Sequence, residues 1–252
     1  MQIMQTPFHL DKRIILVTGA SSGIGRQVAI SASKMGARLV LHGRNQEKLQ
    51  ETLGMLEGDN HQLISSNLLT EEGRNALVAQ APAIDGLVHC AGVVHPYPIR
   101  FLDQKKIDET LNINFEAPVL MTGALVKNKK ISKNASLVFL SSISGQHPHK
   151  GGAMYGSSKA ALETFVKVVA LELYPQGIRC NCLSPGMVQT PMYEQAEKDM
   201  SKEEMDKHVS RYPLGPGLPE DVANAAIFFL SDASRWITGV NLTLDGGFLL
   251  EG

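Results

Sequence analysis

The chain alternates short apolar segments with longer amphipathic ones from residue 13 to about residue 250. The apolar segments have strand length and are Ile14 to Thr18, Arg38 to His42, Gln62 to Ser65, Gly86 to Cys90, Ser136 to Ser141, Ile178 to Leu183 and Val240 to Leu244. The helix-length segments between them are Ile24 to Met35, Gln46 to Leu56, Glu71 to Gln80, Gln104 to Val126, Tyr155 to Tyr174 and Pro219 to Leu230. Neighbouring parallel strands need crossover connections, which helices usually provide. The order therefore predicts an α/β fold of the Rossmann-type, doubly wound kind, a seven-stranded parallel sheet with helices on both faces.

The domain organisation follows from the absence of any break in this alternation. No Pro/Ser-rich linker, charge block or repeat divides the sequence, and 43% of its 252 residues are hydrophobic, enough to bury one large core. We predict a single domain over residues 1–252, with Lys12 to Arg13 beginning the ordered structure and the first ten or so residues mobile. The segment at about 187–212 is polar and rich in Met and Glu, which favours a helical flap over one more part of the sheet scaffold.

Charge and cysteine content limit the partners and the compartment. The 24 Lys and Arg residues nearly balance the 25 Asp and Glu residues, for a net charge of -1, so a general affinity for nucleic acid or an anionic membrane is not expected. Cys90, Cys180 and Cys182 make an odd number in apolar segments, which argues against a secreted disulfide framework. The sequence shows neither a signal-peptide pattern nor 18 uninterrupted apolar residues. We expect a cytoplasmic protein.

Glycines occupy the turn between the first predicted strand and the first predicted helix. The segment reads Thr18-Gly19-Ala20-Ser21-Ser22-Gly23-Ile24-Gly25. Glycine permits the unusual dihedrals and the close backbone approach that a pyrophosphate at a helix N-terminus requires. Taken alone, the glycine spacing also fits a tight turn between the strand and the helix that binds no ligand.

This octet resembles the T-G-x-x-x-G-x-G signature of the short-chain dehydrogenase/reductase family, in its single-domain branch. Further matching segments follow in the family's order: Cys90-Ala91-Gly92, Asn114, Ser142, Tyr155-Gly156-Ser157-Ser158-Lys159, Ser184-Pro185-Gly186, Ile237-Thr238-Gly239 and Asp245-Gly246-Gly247. The resemblance implies a dinucleotide-binding oxidoreductase that transfers hydride between NAD(P)(H) and a carbonyl or secondary alcohol. The cofactor contacts that it implies are Gly19, Ser21, Ser22, Gly23, Ile24, Gly25, Arg44, Asn67, Ala91, Gly92, Tyr155, Lys159, Pro185, Gly186, Val188 and Thr190.

Four residues form the implied catalytic set. Tyr155 and Lys159 stand four apart on a predicted helix, hence on one face, and a cation about 4 Å from a phenol favours the ionised form by about 4 kcal/mol at a dielectric of about 20. We therefore expect the lysine to lower the tyrosine pKa. By resemblance Tyr155 is the proton donor to the carbonyl, Lys159 also holds the nicotinamide ribose, Ser142 holds the substrate carbonyl and Asn114 interrupts its helix to position a water.

The cofactor preference depends on the end of the second strand. Gly43 occupies the place where the family usually has an acidic residue for the adenosine ribose, and Arg44 follows it. A guanidinium binds a phosphate bidentately, so NADP(H) is favoured over NAD(H). Asn67 stands where relatives often have an Asp that accepts from the adenine amino group, and its amide oxygen can take the same role.

The substrate is less defined than the chemistry. Within the family the chain most resembles 3-oxoacyl-acyl-carrier-protein reductases, while a small-ketone, sugar or steroid alcohol dehydrogenase stays open, as does a catalytically silent dinucleotide-binding scaffold or sensor. Enoyl reduction is disfavoured, because relatives with that chemistry space tyrosine and lysine more widely. No metal site is expected, and His147-Pro148-His149 is interpreted as a loop at the site entrance. The resemblance also implies a homotetramer that pairs the two longest predicted helices between subunits.

Overall fold

The computed structural model describes residues 6–250 and places a parallel sheet at the centre of the chain. Its strands are β1 (Ile14–Thr18), β2 (Arg38–Gly43), β3 (Gln62–Ser65), β4 (Ile84–His89), β5 (Ile131–Leu140), β6 (Arg179–Pro185) and β7 (Asn241–Leu244). They lie in the order β3-β2-β1-β4-β5-β6-β7, and every pairing is parallel. The order reverses between β1 and β4, which opens a crevice at the carboxyl ends of these strands where such sheets bind ligands. The predicted seven-stranded Rossmann-type sheet is confirmed.

Helices cover both faces of the sheet, as predicted. Within residues 6–250 the α-helices are α1 (Gly23–Lys34), α2 (Gln46–Leu53), α3 (Glu71–Gln80), α4 (Gln104–Leu111), α5 (Ala117–Lys127), α6 (Ala153–Leu173), α7 (Pro191–Asp199), α8 (Lys202–Val209) and α9 (Pro219–Leu230). Successive residues of a strand point to opposite faces. On β1, Leu16 joins the core formed with α3, α5 and α6, whereas Ile15 and Val17 join the core formed with α1, α2 and α9.

The helix between β4 and β5 is interrupted. Instead of one helix over Gln104 to Val126, α4 and α5 are joined by a π-helical turn at Asn112–Glu116. Such turns frequently occur at functional sites. β5 also begins five residues before the predicted start at Ser136, because Ile131 pairs with Ile84 beyond an irregularity in the β4–β5 register. Its polar residues Lys133 and Asn134 conceal this extension in the sequence.

Two peripheral segments complete the fold. The flap predicted at about 187–212 contains α7 and α8, and α8 begins with a capping box between Ser201 and Glu204. The expectation of a mobile N-terminus is wrong for residues 6–10, because Leu10 is fully buried and its N–H donates to the Met35 carbonyl at 2.8 Å. Residues 1–5, to which the same expectation applied, lie outside the described range. Over the described part of the chain, no helix is long and apolar enough to cross a membrane.

Candidate functional site

The turn between β1 and α1 is built on glycines that no other residue can replace without strain. Gly19 has φ +69°, and a Cβ there would lie 2.8 Å from the Ala91 nitrogen. A Cβ on Gly25 would lie 2.3 Å from the Gly19 carbonyl oxygen. The cap residue Ser22 makes no side-chain cap hydrogen bond, and the first turn of α1 has no acidic residue. The helix therefore presents its N-terminal N–H groups in a form suited to a phosphate.

Arg26 fixes this turn to the neighbouring helix, a role that the sequence analysis missed. Its guanidinium donates to the Ser21 carbonyl at 2.7 Å, to Thr52 Oγ1 at 3.0 Å and to Glu51 Oε2 at 3.0 Å. The arginine thus bridges the glycine turn and α2. An arginine near the start of an amphipathic helix is unremarkable in a sequence, so only the tertiary contacts reveal this role.

A cleft of about 520 Å³ runs from the glycine turn along the carboxyl ends of the central strands. The predicted cofactor contacts on its wall are Gly19, Ser21, Ser22, Gly23, Ile24, Gly25, Arg44, Asn67, Ala91, Gly92 and Thr190. The predicted contacts that do not line it are Tyr155, Lys159, Pro185, Gly186 and Val188. Wall residues that the sequence analysis did not single out include His42, Leu68, Val93, His95, Ile113, Ala117 and Met192. The cleft is long and has mixed polarity, as a dinucleotide site requires.

Gly92 connects the end of this cleft to the predicted catalytic residues. A Cβ at Gly92 would lie 3.2 Å from Asn114 Oδ1 and 3.6 Å from Lys159 Nζ. Asn114 is buried in the π-helical turn; its Oδ1 accepts from the Val93 N–H at 2.8 Å, and its Nδ2 donates to the Val93 carbonyl at 2.9 Å. Lys159 Nζ donates to the Leu140 carbonyl at 2.7 Å. The π-turn, the loop after β4 and α6 therefore meet beside Gly92.

Tyr155 and Ser142 form the other part of this corner. Lys159 Nζ lies 5.7 Å from the centre of the Tyr155 ring, and the Tyr155 side chain hydrogen-bonds Ser142. Ser142 is the second residue after β5 and accepts from the Ser144 N–H at 3.2 Å. The structure thus brings together all four residues of the predicted catalytic set, through Gly92 on one side and the Ser142 hydroxyl on the other.

The protonation states differ from the sequence-based expectation. Burial raises the pKa of Tyr155, and the Ser142 hydrogen bond only partly offsets this rise. Burial also lowers the pKa of Lys159 to about 8. The expectation that the lysine lowers the tyrosine pKa is therefore wrong for this structure: desolvation dominates, and the ammonium group is directed to the Leu140 carbonyl.

Two predicted adenosine contacts lie at the opposite end of the cleft. Arg44 is exposed on the cleft wall, and its guanidinium makes no ion pair with a carboxylate of residues 6–250. Asn67 also lines the cleft, but its Oδ1 accepts from the Leu69 N–H at 3.1 Å in a local turn. Arg44 is thus available to an anion, and the Asn67 oxygen, which has one donor, keeps a second lone pair for an adenine amino group.

The flap joins the site through the segment after β6. The Gly186 N–H donates to the Leu244 carbonyl at 2.9 Å, and the Met187 N–H donates to Tyr212 Oη at 3.0 Å. Thr190 caps α7 and lies against Gly23 of the glycine turn. Of the predicted contacts, Pro185 is the last residue of β6, Gly186 follows it and Val188 lies at the start of the flap, and none of the three lines the cleft wall. Among residues 6–250 no group of three or more His, Cys, Asp or Glu side chains is arranged to hold a metal ion.

Comparisons with known proteins agree on one family. The family model described as Enoyl-(Acyl carrier protein) reductase matches residues 19–249. The 3-oxoacyl-[acyl-carrier-protein] reductase of Rickettsia felis is 32% identical over 242 residues, covering 96% of this chain and 98% of the relative. The human dehydrogenase/reductase SDR family member 4 is 33% identical over 245 residues, covering 94% of this chain and 88% of the relative.

Solved structures give the same result. A glucose/ribitol short-chain dehydrogenase/reductase from Brucella melitensis superposes with a TM-score of 0.89 at 27% identity, covering 96% of this chain and 98% of that chain. A structure from Agrobacterium tumefaciens with bound NADP, assigned as a 2-deoxy-D-gluconate 3-dehydrogenase, superposes with a TM-score of 0.88 at 27% identity and covers 98% of this chain and 100% of that chain. The similarity therefore spans the sheet, the glycine turn and the flap.

Proposed function

This chain belongs to the short-chain dehydrogenase/reductase family of NAD(P)(H)-dependent oxidoreductases, and we propose that it reduces the carbonyl of 3-oxoacyl thioesters with NADPH. The observation that supports this most is the corner at Gly92, where Asn114 and Lys159 meet at the end of a glycine-built cleft. The proposed catalytic residues are Asn114, Ser142, Tyr155 and Lys159.

The residues present fit a dinucleotide. The N-terminus of α1 suits a pyrophosphate. Gly19 packs closely on Ala91 without a side chain, so a phosphate can approach the backbone of the turn. Lys159 Nζ, next to Gly92, would hold the nicotinamide ribose. When bound, the reduced nicotinamide supplies the hydride for the carbonyl carbon. Pro185, Gly186 and Val188, at the end of β6 and the start of the flap, would complete the nicotinamide end.

The protonation states suit the reductive direction. A raised pKa keeps the Tyr155 phenol protonated at neutral pH, which is the state that a proton donor to the carbonyl oxygen needs. Ser142, already hydrogen-bonded to Tyr155, would hold the same oxygen. Lys159, with a pKa of about 8, is cationic at neutral pH, the state in which its ammonium group can donate to the Leu140 carbonyl and to the nicotinamide ribose. Asn114 would hold a water that returns a proton through Lys159.

NADP(H) is the proposed cofactor because Arg44 lies on the cleft wall without a carboxylate partner among the described residues. We expect Arg44→Ala to weaken NADPH binding by about tenfold or more, the worth of a charge-assisted contact, and to leave NADH binding unchanged. Lys48→Ala, which removes an exposed cation of α2, is the matched control and should change neither. Equal losses for NADPH and NADH in Arg44→Ala would contradict the preference.

The substrate class rests on the relatives named as 3-oxoacyl-[acyl-carrier-protein] reductases. The family model has an enoyl reductase description, but the four-residue spacing of Tyr155 and Lys159 is typical of carbonyl-reducing members. A sugar alcohol or ketone dehydrogenase is the second candidate, supported by the names of two similar structures. A silent dinucleotide-binding scaffold is disfavoured, since the proton donor and its partners are all present.

The test is fluorescence titration with NADPH and NADH, followed by NADPH oxidation with acetoacetyl thioesters, diketones and keto-sugars. We expect turnover with the thioesters that falls by roughly a thousandfold in Tyr155→Phe, the usual contribution of a positioned proton donor. Tyr174→Phe, which changes an exposed tyrosine at the end of α6, is the control and should keep full turnover. Turnover only with keto-sugars would favour the second candidate, and binding without any turnover would favour the scaffold.

We further propose that the protein forms one domain over residues 1–252, lies in the cytoplasm and assembles as a homotetramer. The three cysteines are free thiols, as a reducing compartment favours. Leu120 on α5 and Val168 and Leu171 on α6 are 39%, 44% and 71% exposed, and pairing between subunits would bury them. Light scattering should give four times the chain mass of 27.3 kDa, and Leu171→Glu should reduce it. A wild-type monomer would refute the tetramer.

A further inference from the structure

Tyr212 is a buried tyrosine at the end of the flap, and its hydroxyl contacts the start of the flap. Its Oη accepts from the Met187 N–H at 3.0 Å, across twenty-five residues of the chain. Its ring lies so close to Gly186 that a Cβ there would be 2.8 Å from Tyr212 Cε1. Tyr212 therefore closes the flap at its base by joining its last residue to its first.

The segment that begins at Met187 leads directly to the wall of the cleft. The Gly217 N–H donates to the Met187 carbonyl and the Gln189 N–H donates to the Gly217 carbonyl, both at 2.9 Å. Thr190, the next residue, lines the cleft and lies against Gly23 of the glycine turn. Backbone groups thus hold the Met187 carbonyl and the Gln189 N–H, whereas the tyrosine hydroxyl holds the Met187 N–H. The position of this segment therefore depends on a side chain.

The ring of Tyr212 packs against the loop that carries the proposed catalytic serine. Ile143, which follows Ser142 directly, forms a small apolar cluster with Tyr212 and Phe248, and Met187 packs against this cluster. The centres of the Tyr212 and Phe248 rings are 4.6 Å apart. One tyrosine is therefore shared by the start of the flap and the Ser142 loop.

The hydroxyl and the ring of Tyr212 have separable roles. Burial raises the pKa of Tyr212, so the phenol stays neutral at physiological pH and its oxygen can accept from the Met187 N–H. A phenylalanine at this position would keep the ring but leave the Met187 N–H without its acceptor. The hydrogen bond can thus be removed without emptying the apolar cluster.

We propose that Tyr212 is a positioning residue for the nicotinamide half of the dinucleotide: its hydroxyl holds Met187 and thereby places Gly186 and Val188 beside the nicotinamide ring. The inference rests on the proposed dinucleotide site and adds to it the side chain that holds the flap side of that site. Tyr212 acts through the segment and touches neither cofactor nor substrate. The adenosine half is bound by the glycine turn and Arg44, which belong to the β1–α1 connection and the end of β2 rather than to the flap.

The experiment is isothermal titration calorimetry with NADPH and with 2′-phosphoadenosine diphosphoribose, which is the same dinucleotide without its nicotinamide ring. Tyr212→Phe should weaken NADPH binding by about five- to tenfold, the worth of one hydrogen bond to a buried group. Binding of the ligand without the ring should change by less than about twofold, because the groups that hold the adenosine half are unaltered. The control is Tyr193→Phe, which removes another hydroxyl of the flap and should leave both affinities at the wild-type values.

Hydrogen–deuterium exchange of the unliganded proteins gives a second readout. The peptide that contains Met187 should exchange about five- to tenfold faster in Tyr212→Phe than in the wild type, while the glycine turn keeps its wild-type rate. Unchanged exchange at Met187, unchanged NADPH affinity, or equal weakening of both ligands in Tyr212→Phe overturns the role of Tyr212. If the wild type binds neither ligand, the proposed function itself fails, and the two failures are thus distinguishable.

Discussion

Acid should destabilise this protein through two histidines that the fold buries in their neutral form. His42 and His89 are 2% and 4% exposed, and burial lowers their pKa values to about 4 and about 3. Below pH 6.5 the unfolded chain binds protons at both residues while the folded chain does not, so stability falls as pH falls from about 6.5 towards 4. At pH 5 each residue is about 1.5 pH units below its unfolded pKa, which is about 2 kcal/mol per histidine and about 4 kcal/mol together.

The assay is urea denaturation followed by circular dichroism at pH 7 and pH 5. His89→Asn retains groups that can bond Thr18 and Thr122, the present partners of the ring at 3.4 Å and 3.2 Å, but cannot titrate. We expect its loss of unfolding free energy between the two pH values to be about 2 kcal/mol smaller than that of the wild type. His147→Asn, at an exposed position, should lose as much as the wild type. A His89→Asn protein with an undiminished loss would refute the reasoning.

Three further predictions address the turn, the lysine and the helix behind the site. Gly19→Ala should abolish NADPH binding in fluorescence titrations, because a Cβ would lie 2.8 Å from the Ala91 nitrogen at φ +69°. The NADPH dissociation constant should rise above pH 8, because Lys159, whose pKa is about 8, loses its charge; a constant value from pH 7 to 9.5 would contradict this. Glu163→Ala should lower the melting temperature by about 5 °C or more, from about 2 kcal/mol of lost hydrogen bonds, whereas Glu172→Ala, an exposed carboxylate on the same helix, should shift it by less than about 1 °C.

The sequence predicts the sheet well because hydrophobic periodicity is a local property. α3 and α9 have their predicted bounds at Glu71–Gln80 and Pro219–Leu230. The π-helical turn at Asn112–Glu116 was indicated only by family resemblance, since no periodicity distinguishes one extra residue in a helical turn. The raised pKa of Tyr155 was missed because desolvation depends on the tertiary surroundings, which residue spacing does not contain.

The same limit explains why His42 and Arg26 escaped notice while Tyr155 and Lys159 did not. The tyrosine and lysine are related by helical spacing, which a sequence displays directly. His42 forms a hydrogen bond with Ser66, which is twenty-four residues away along the chain but adjacent at the edge of the sheet. A contact of this kind has no sequence period and becomes visible only when strand order is known.

Helix α6 shows how the scaffold and the chemistry share one element. Lys159 and Glu163 are one turn apart, and the Glu163 carboxylate accepts from Ser141 Oγ at 2.9 Å, Ser184 Oγ at 3.3 Å and Gln146 Nε2 at 3.0 Å. These donors come from the end of β5, from β6 and from the loop that follows Ser142. One carboxylate therefore ties both strand ends to the helix that holds the proposed proton donor. Because the Ser142 loop is fixed at Ser141 and at Gln146, the serine is held between two anchored points, and Ile143 beside it packs against Tyr212 at the end of the flap.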